Sequence, residues 1–246
     1  MRCKLLLMVA MLATACVGHP ADDEDDEFSA DPSGEPAVEV TGVGLVLDFT
    51  ATWCVNCPRM ATAIEEAMAE RPGAIFPVSV HFRDEFSYGE GEALAALFAI
   101  QAYPSLIVNL DKGTLTTATS RDIIFARMDA FTPGKPCTLE ADCSEGLLTA
   151  GVTAAQEGSY RIGALLLEDG LVAPQTGGSQ DYVHDNILRK ILSTDIWGED
   201  LGMLSEGAAV KKKFPVGDLG DGDFHAVVYV TCDGVVNNAA DVRISL

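Results

Sequence analysis

The sequence predicts an α/β domain, with a mixed central sheet flanked by helices, followed by a β-rich, sandwich-like C-terminal domain. Two observations predict this order. Between residues 39 and 132, short apolar runs typical of buried strands alternate with helix-like segments. From residue 146 to residue 246, strand-like runs dominate. The 246 residues, 48% of them hydrophobic, are enough for two small domains with packed cores.

The elements of the first domain follow from hydrophobic spacing and from breaker residues. Met60, Ile64 and Met68 recur at intervals of four residues, which predicts one buried helix face, and Pro72-Gly73 ends that helix. The predicted helices are 57–71, 92–100 and 121–131, and the predicted strands are 45–49, 74–82, 104–110 and 114–119.

A Pro- and Gly-containing stretch at 133–145 is predicted to link the two domains, and it carries Cys137 and Cys143. Outside the cytoplasm these two thiols are expected to form a local structural disulfide. Cys232 lies in an apolar strand and is expected to be a buried, inert thiol. In the second domain we predict strands at 147–155, 159–168, 208–215, 224–232 and 235–246, and a helix at 183–193.

The N-terminus has the pattern of a signal peptide over residues 1–15, with Arg2 and Lys4 before a short apolar run. Small residues directly before Cys16 resemble the lipobox of bacterial lipoproteins, which implies that Cys16 is lipidated and anchors the chain to a membrane. The alternative is an ordinary signal peptide with Cys16 incidental. Residues 16–38 include an unbroken acidic run and are predicted to be a disordered tether.

The formal net charge of −21 argues against nucleic acid as a partner, because such a surface repels phosphates. The chemistry instead points to Cys54 and Cys57, which lie at the start of the predicted helix 57–71. Unpaired backbone N–H groups and the helix dipole there favour a thiolate at Cys54, and Cys57 is one turn away, close enough to form a disulfide with it. Asp48 lies inside the apolar run of the predicted strand 45–49, so its carboxyl should be desolvated and have a raised pKa.

The stretch 48–57, with Asp48, Trp53 and the two cysteines, resembles the thioredoxin signature, and Tyr103-Pro104 is similar to that family's cis-proline segment. The resemblance implies a thioredoxin-like fold over residues 39–132, with Cys54 as nucleophile, Cys57 as resolving cysteine and Asp48 as proton shuttle. It also implies that Pro104, if cis, packs on the cysteines and leaves nearby backbone groups for an extended substrate. Trp53 and Tyr103 flank the predicted site, although both could be core aromatics only.

Two other interpretations of the cysteine pair stay open: a structural disulfide and half of a zinc site. Structural zinc needs four ligands, and the four histidines show no paired spacing, so no metal is predicted. Copper binding by the two thiols ranks last for the same reason. His184 has no partner at motif spacing and is predicted to be a helix-surface or core residue rather than a catalytic one.

Residues 159–199 carry segments similar to the twenty-eight-kilodalton outer-membrane-protein family of thioredoxin-like lipoproteins, among them 160–162, 173–175, 182–186 and 197–198. The sequence therefore predicts an envelope-anchored thiol–disulfide oxidoreductase, in the outer membrane and facing the periplasm or the cell surface. It would act on protein or peptide cysteines, exchange electrons with a partner redox protein, and need no cofactor. The alternative is a non-enzymatic binding lipoprotein on the same scaffold, with a structural 54–57 disulfide.

Overall fold

The computed structural model describes residues 42–116, 119–130 and 137–244, and all of them fall within one compact unit. The predicted signal peptide, Cys16 and the tether of residues 16–38 lie outside the described residues. Among the described helices, none is both long and apolar enough to cross a membrane.

The first part of the chain folds as the sequence predicts, with one exception. Residues 114–119 were expected to form a strand, but the described residues there contribute a single bridge, between Leu115 and Leu106. The elements are β1 (Gly44–Thr50), α1 (Cys57–Glu70), β2 (Ile75–His81), α2 (Gly91–Leu97), β3 (Ser105–Val108) and α3 (Arg121–Ala130).

The sheet of this part is mixed, since β1 pairs in parallel with β2 and antiparallel with β3. Every residue of β1 is buried, which places this strand at the centre of the fold. Val46 packs on Met60 and Ile64 of α1, so the apolar face predicted from their spacing does cover the sheet. Pro77 of β2 is tolerated because its missing N–H points away from β1, toward the side where Ser79 N donates to Asn186 O.

The C-terminal region is rich in strands, as predicted. Its elements are β4 (Cys137–Ser144), β5 (Leu147–Ala154), β6 (Gly158–Asp169), β7 (Leu171–Ala173), β8 (Tyr182–His184), β9 (Ile187–Ile191), β10 (Glu199–Leu204), β11 (Ala209–Pro215), β12 (Asp223–Cys232) and β13 (Val235–Arg243).

The predicted helix at 183–193 is wrong, because β8 and β9 occupy these residues. Val183, Ile187 and Ile191 do repeat at intervals of four, which imitates a helix face. Asn186, however, takes a left-handed conformation with φ 57° and donates its N–H to Asp169 Oδ1. That turn separates two short strands, and β9 then pairs with β6 and β2.

The boundary predicted at 133–145 does not separate two domains. The main sheet has the order β13-β12-β6-β9-β2-β1-β3, with β10 on β6, so C-terminal strands continue the first sheet through the β9–β2 pair. Leu165, Leu167 and Val227 share a core with Leu47 and Phe49. The sandwich-like arrangement is present as the three-stranded sheet β11-β5-β4, whose apolar face packs on β6 and β12.

The predicted disulfide between Cys137 and Cys143 is also wrong. Both residues lie on β4, and six residues of strand separate their Cα atoms by about 20 Å. A disulfide needs Cα atoms within roughly 7 Å. Both thiols are unbonded, Cys137 buried and Cys143 half-buried. Cys232 is buried at the end of β12, as predicted.

Candidate active site

Cys54 and Cys57 form a disulfide at the N-terminus of α1, with an S–S distance of 2.11 Å and Cα atoms 5.4 Å apart. Cys57 is the first residue of the helix, and Pro58 occupies its first turn, where a missing N–H is tolerated. No acidic side chain occupies this turn. The helix dipole would therefore act unopposed on a thiolate formed when the disulfide is reduced.

The disulfide is buried beneath an exposed apolar rim. Cys54 and Cys57 are 4% and 2% exposed, whereas the neighbouring Trp53 and Val55 are 48% and 59% exposed. The Trp53 ring meets the Tyr103 ring edge-on at 5.6 Å, and Tyr103 in turn packs against the cluster that the two cysteines form with Ala51. The structure thus brings together both aromatic residues that the sequence placed beside the site.

The Tyr103–Pro104 peptide bond is cis, as the resemblance implies, and Pro104 is buried directly before β3. Because β3 pairs with the end of β1 that leads into the cysteine motif, this bond lies close to the disulfide. The role of Pro104 in binding a substrate stays a prediction.

Asp48 lies on β1 behind the disulfide, and burial raises the pKa of its carboxyl to about 7, in the predicted direction. Its Oδ1 has no hydrogen-bond partner among the described residues. Asp48 and Cys57 line the same cavity of about 210 Å³, which lies between α1 and the sheet. A carboxyl with this pKa is poised to take up and release protons near neutral pH.

A loop from the C-terminal region, residues 174–179, makes hydrogen bonds to the backbone of the cysteine motif. Gln175 is buried, and its side-chain amide donates to Cys54 O at 2.9 Å and to Ala51 O at 3.2 Å. Thr176 N donates to Thr52 O at 2.8 Å. Gly177 has φ +80°, and a Cβ there would lie 2.2 Å from Val55 O. Residues 174–179, which we call the strap, therefore hold the backbone of the cysteine motif in place.

No functional role for the strap follows from the sequence. Gln175 is part of the segment 173–175, which was singled out only for its similarity to the twenty-eight-kilodalton outer-membrane-protein family. The Gly177-Gly178 pair is a turn signal, but its close approach to Val55 joins residues 122 positions apart in the chain, which spacing rules do not address.

Two histidines complete the walls of the cavity. His81 of β2 is buried, and its Nδ1 lies 2.7 Å from Asp84 Oδ2. Burial opposes the ionised form of Asp84, but hydrogen bonds from His81 and two backbone N–H groups lower its pKa overall. His184 of β8 is 6% exposed, with its ring 5.4 Å from that of His81. His184 is thus a core residue, one of the two predicted options, but on a strand.

No group of three or more His, Cys, Asp or Glu side chains suited to a metal ion occurs in the described part of the chain. The two histidines and Cys57 therefore form a cavity wall and not a recognisable metal centre.

Comparison with known proteins supports the fold of the first part. Residues 36–130 match the Thioredoxin family model. HBP35 of Porphyromonas gingivalis is 22% identical, with a TM-score of 0.65 over 82% of this chain and 75% of that one. Protein AGR_C_4864 from Agrobacterium tumefaciens is 15% identical, with a TM-score of 0.56 over 82% of this chain and 94% of that one. A search of curated proteins gives no match.

The chain therefore contains a thioredoxin domain at residues 36–130, followed by a strand-rich region. The two structural similarities extend over both parts and concern the fold alone. Membership of the twenty-eight-kilodalton outer-membrane-protein family stays a prediction.

Proposed function

We propose that this protein is an envelope-anchored thiol–disulfide oxidoreductase that acts on cysteines of proteins or peptides. One observation carries the proposal: in a thioredoxin domain, Cys54 and Cys57 are at bonding distance at a helix N-terminus, with a buried Asp48 in the same cavity as Cys57.

The arrangement supports a two-step exchange. The Cys54 thiolate attacks one sulfur of a substrate disulfide, which forms a mixed disulfide and releases the first substrate thiolate. The Cys57 thiol then gives its proton to the Asp48 carboxylate, and the Cys57 thiolate attacks Cys54 Sγ. This forms the Cys54–Cys57 disulfide and releases the second substrate thiolate. The same steps in reverse oxidise a dithiol, so either direction uses the same groups.

The surface around the disulfide suits an extended polypeptide. Trp53 and Val55 are exposed apolar side chains beside the buried sulfurs, and the cis bond before Pro104 shapes the neighbouring loop. A substrate chain lying on this rim would gain apolar contact with Trp53 while its sulfur approaches Cys54. The electrons would be exchanged with a second redox protein, because the two cysteines store only one electron pair.

Anchoring is proposed through lipidated Cys16, as the resemblance of residues 13–16 to a lipobox implies. Replacing Cys16 with Ser should release the protein from the membrane fraction. A Cys16→Ser protein that stays membrane-bound and normally processed would contradict the anchor.

The experiment for the activity is thiol-dependent reduction of insulin by the purified full chain. Cys54→Ala should abolish turnover, because no nucleophile remains to attack the disulfide. Cys143→Ala is the matched control, since it removes a half-buried thiol outside the motif and should leave turnover unchanged. Turnover that persists in Cys54→Ala would refute the proposal.

The rival function is a binding protein with a structural 54–57 disulfide. The observation that favours it is the small exposure of Cys54, 4%, beneath its apolar rim. The two functions differ in the accessibility of the disulfide. Reduction by dithiothreitol under native conditions, at a rate that exceeds global unfolding, supports the oxidoreductase; reduction only on unfolding supports the binding protein.

A further inference from the structure

The cavity behind Cys57 contains two buried polar atoms that have no hydrogen-bond partner among the residues the structure describes. They are Asp48 Oδ1 and His184 Nε2, on side chains that are 4% and 6% exposed. Both residues line the one cavity of about 210 Å³. Buried polar atoms need hydrogen bonds, and a polar cavity of this size accommodates several water molecules.

The hydrogen bonds of His184 define which ring nitrogen faces that space. Its ring makes a hydrogen bond to the backbone of Ala173 that raises its pKa, so the ring donates to the Ala173 carbonyl. Because Nε2 has no partner among the described residues, the donor is Nδ1. Nε2 of the neutral ring then presents a lone pair, and it can only accept a hydrogen bond.

The surroundings disfavour the charged form of this ring. Burial first, and then the neighbouring His81, lower the pKa of His184 below its ordinary value. The titratable groups that face it are His81 of β2, Asp84 and Glu85 of the following loop, Tyr182 and Asp185 beside it on its own hairpin, and, across the cavity, Asp48 of β1 and Glu65 of α1.

We propose that His184 is a positioning residue for the redox reaction: its Nε2 accepts a hydrogen bond from cavity water, which orients that water to take the proton from Asp48. The inference rests on the proposed function, because Asp48 receives that proton from Cys57. In the step, the Cys57 S–H bond breaks and the Asp48 O–H bond forms. The Asp48 proton then passes to cavity water and leaves for solvent past Glu65 and Asp185, the exposed carboxylates of the cavity wall.

The test separates the two chemical steps by mixing the reduced full chain with Ellman's reagent, an aromatic disulfide, in a stopped-flow instrument. The first thiolate is released when Cys54 attacks, and the second is released when Cys57 resolves the mixed disulfide. All proteins carry Cys3→Ser, Cys16→Ser and Cys143→Ala, so that the buried Cys137 and Cys232 are the only cysteines left outside the motif. Rates are measured from pH 5 to pH 9.

His184→Phe should leave the first phase unchanged and slow the second roughly tenfold, with Asp48→Asn slowing it roughly a hundredfold. The phenyl ring of the His184→Phe variant would take the place of the imidazole, which packs against Phe86 and Tyr182. If this variant does not fold, His184→Leu is used in its place. His184→Gln keeps an acceptor and should restore most of the rate. His225→Gln, at a distant buried histidine, is the control and should change neither phase.

Two comparisons decide the outcome. If His184 acts through Asp48, then His184→Phe has no further effect in an Asp48→Asn background. Three results of His184→Phe would each overturn the positioning role. They are slowing of both phases, an unchanged second phase, and a second phase slowed as much in the Asp48→Asn background as in the parent protein. Absence of a second phase in the parent protein would instead overturn the proposed redox function, so the two failures are distinguishable.

Discussion

The buried carboxyl of Asp48 should make the protein less stable as the pH rises, and Asp48→Asn should remove that effect. The pKa of Asp48 is raised from 3.8 to about 7 by burial. Between these two values the folded protein holds a proton that the unfolded chain has lost, so the free energy of unfolding falls as pH rises. The difference between these two pKa values corresponds to at most about 4 kcal/mol of unfolding free energy.

We therefore expect the oxidised wild type and Asp48→Asn to differ little in stability at pH 4. At pH 8 the variant should be more stable by up to about 4 kcal/mol, since its neutral amide carries no charge to bury. The assay is urea unfolding of both oxidised proteins from pH 4 to pH 8, followed by Trp fluorescence. Other titrating groups are common to both proteins, so the difference isolates Asp48. A stability difference that does not change across this range would refute the assignment of a raised pKa.

Two further changes test other parts of the structure. Gly177→Ala should destabilise the oxidised protein by about 2 kcal/mol or more, because φ is +80° and the new Cβ would lie 2.2 Å from Val55 O. Thermal unfolding measures this loss. Gly207→Ala is the matched control, since Gly207 also has φ +80° but no atom lies near its Cβ position. Burial opposes the charge on His225, but Asp169 and Asp241 raise its pKa to about 9, so its stabilising effect is complete below about pH 6.5 and lost as pH rises to 9. His225→Gln should accordingly cost up to about 3 kcal/mol at pH 6 and little above pH 9, and an equal cost at both pH values would contradict this.

The thioredoxin domain was predictable because its signals are local. The apolar run of β1 and the helix signals after the cysteine pair each specify their own conformation within a few residues, whereas the cis bond before Pro104 was implied only by the family resemblance. The burial of Asp48 was predictable for the same reason, since its neighbours in β1 are all apolar or buried.

The attachment of the C-terminal region was not predictable from such signals. The link between β2 and β9 is a single pairing, Ser79 with Ile187, between residues 108 positions apart. Helical spacing is found at Val183, Ile187 and Ile191. These residues form strands because the chain turns at Asn186 and because β9 pairs with β6. Strand pairing in the tertiary structure therefore outweighs the local helical periodicity. The same periodicity is the reason why His184 was predicted to lie on a helix.

The prediction of a disulfide between Cys137 and Cys143 was wrong for a related reason. Cys137 and Cys143 are close in sequence, and a loop would have let them meet. A strand holds them apart instead, because β4 pairs along its whole length with β5. Proximity in sequence predicts a disulfide only where the backbone between the cysteines can turn back on itself.

The consequence for the proposed redox site is that the thioredoxin domain does not complete it. β9 covers the edge of β2, β8 carries His184 to the cavity shared by Asp48 and Cys57, and the strap holds Cys54 through Gln175. Residues 36–130 alone would expose that edge and the apolar side chains that pack on Leu165 and Val227. They would also lose the wall of the Asp48 cavity that Gln175 and residues 182–186 form, which would reduce the desolvation that raises the pKa of Asp48. The strand-rich region would therefore contribute to the proposed chemistry of the cysteine pair, because it forms part of the surroundings that bury Asp48.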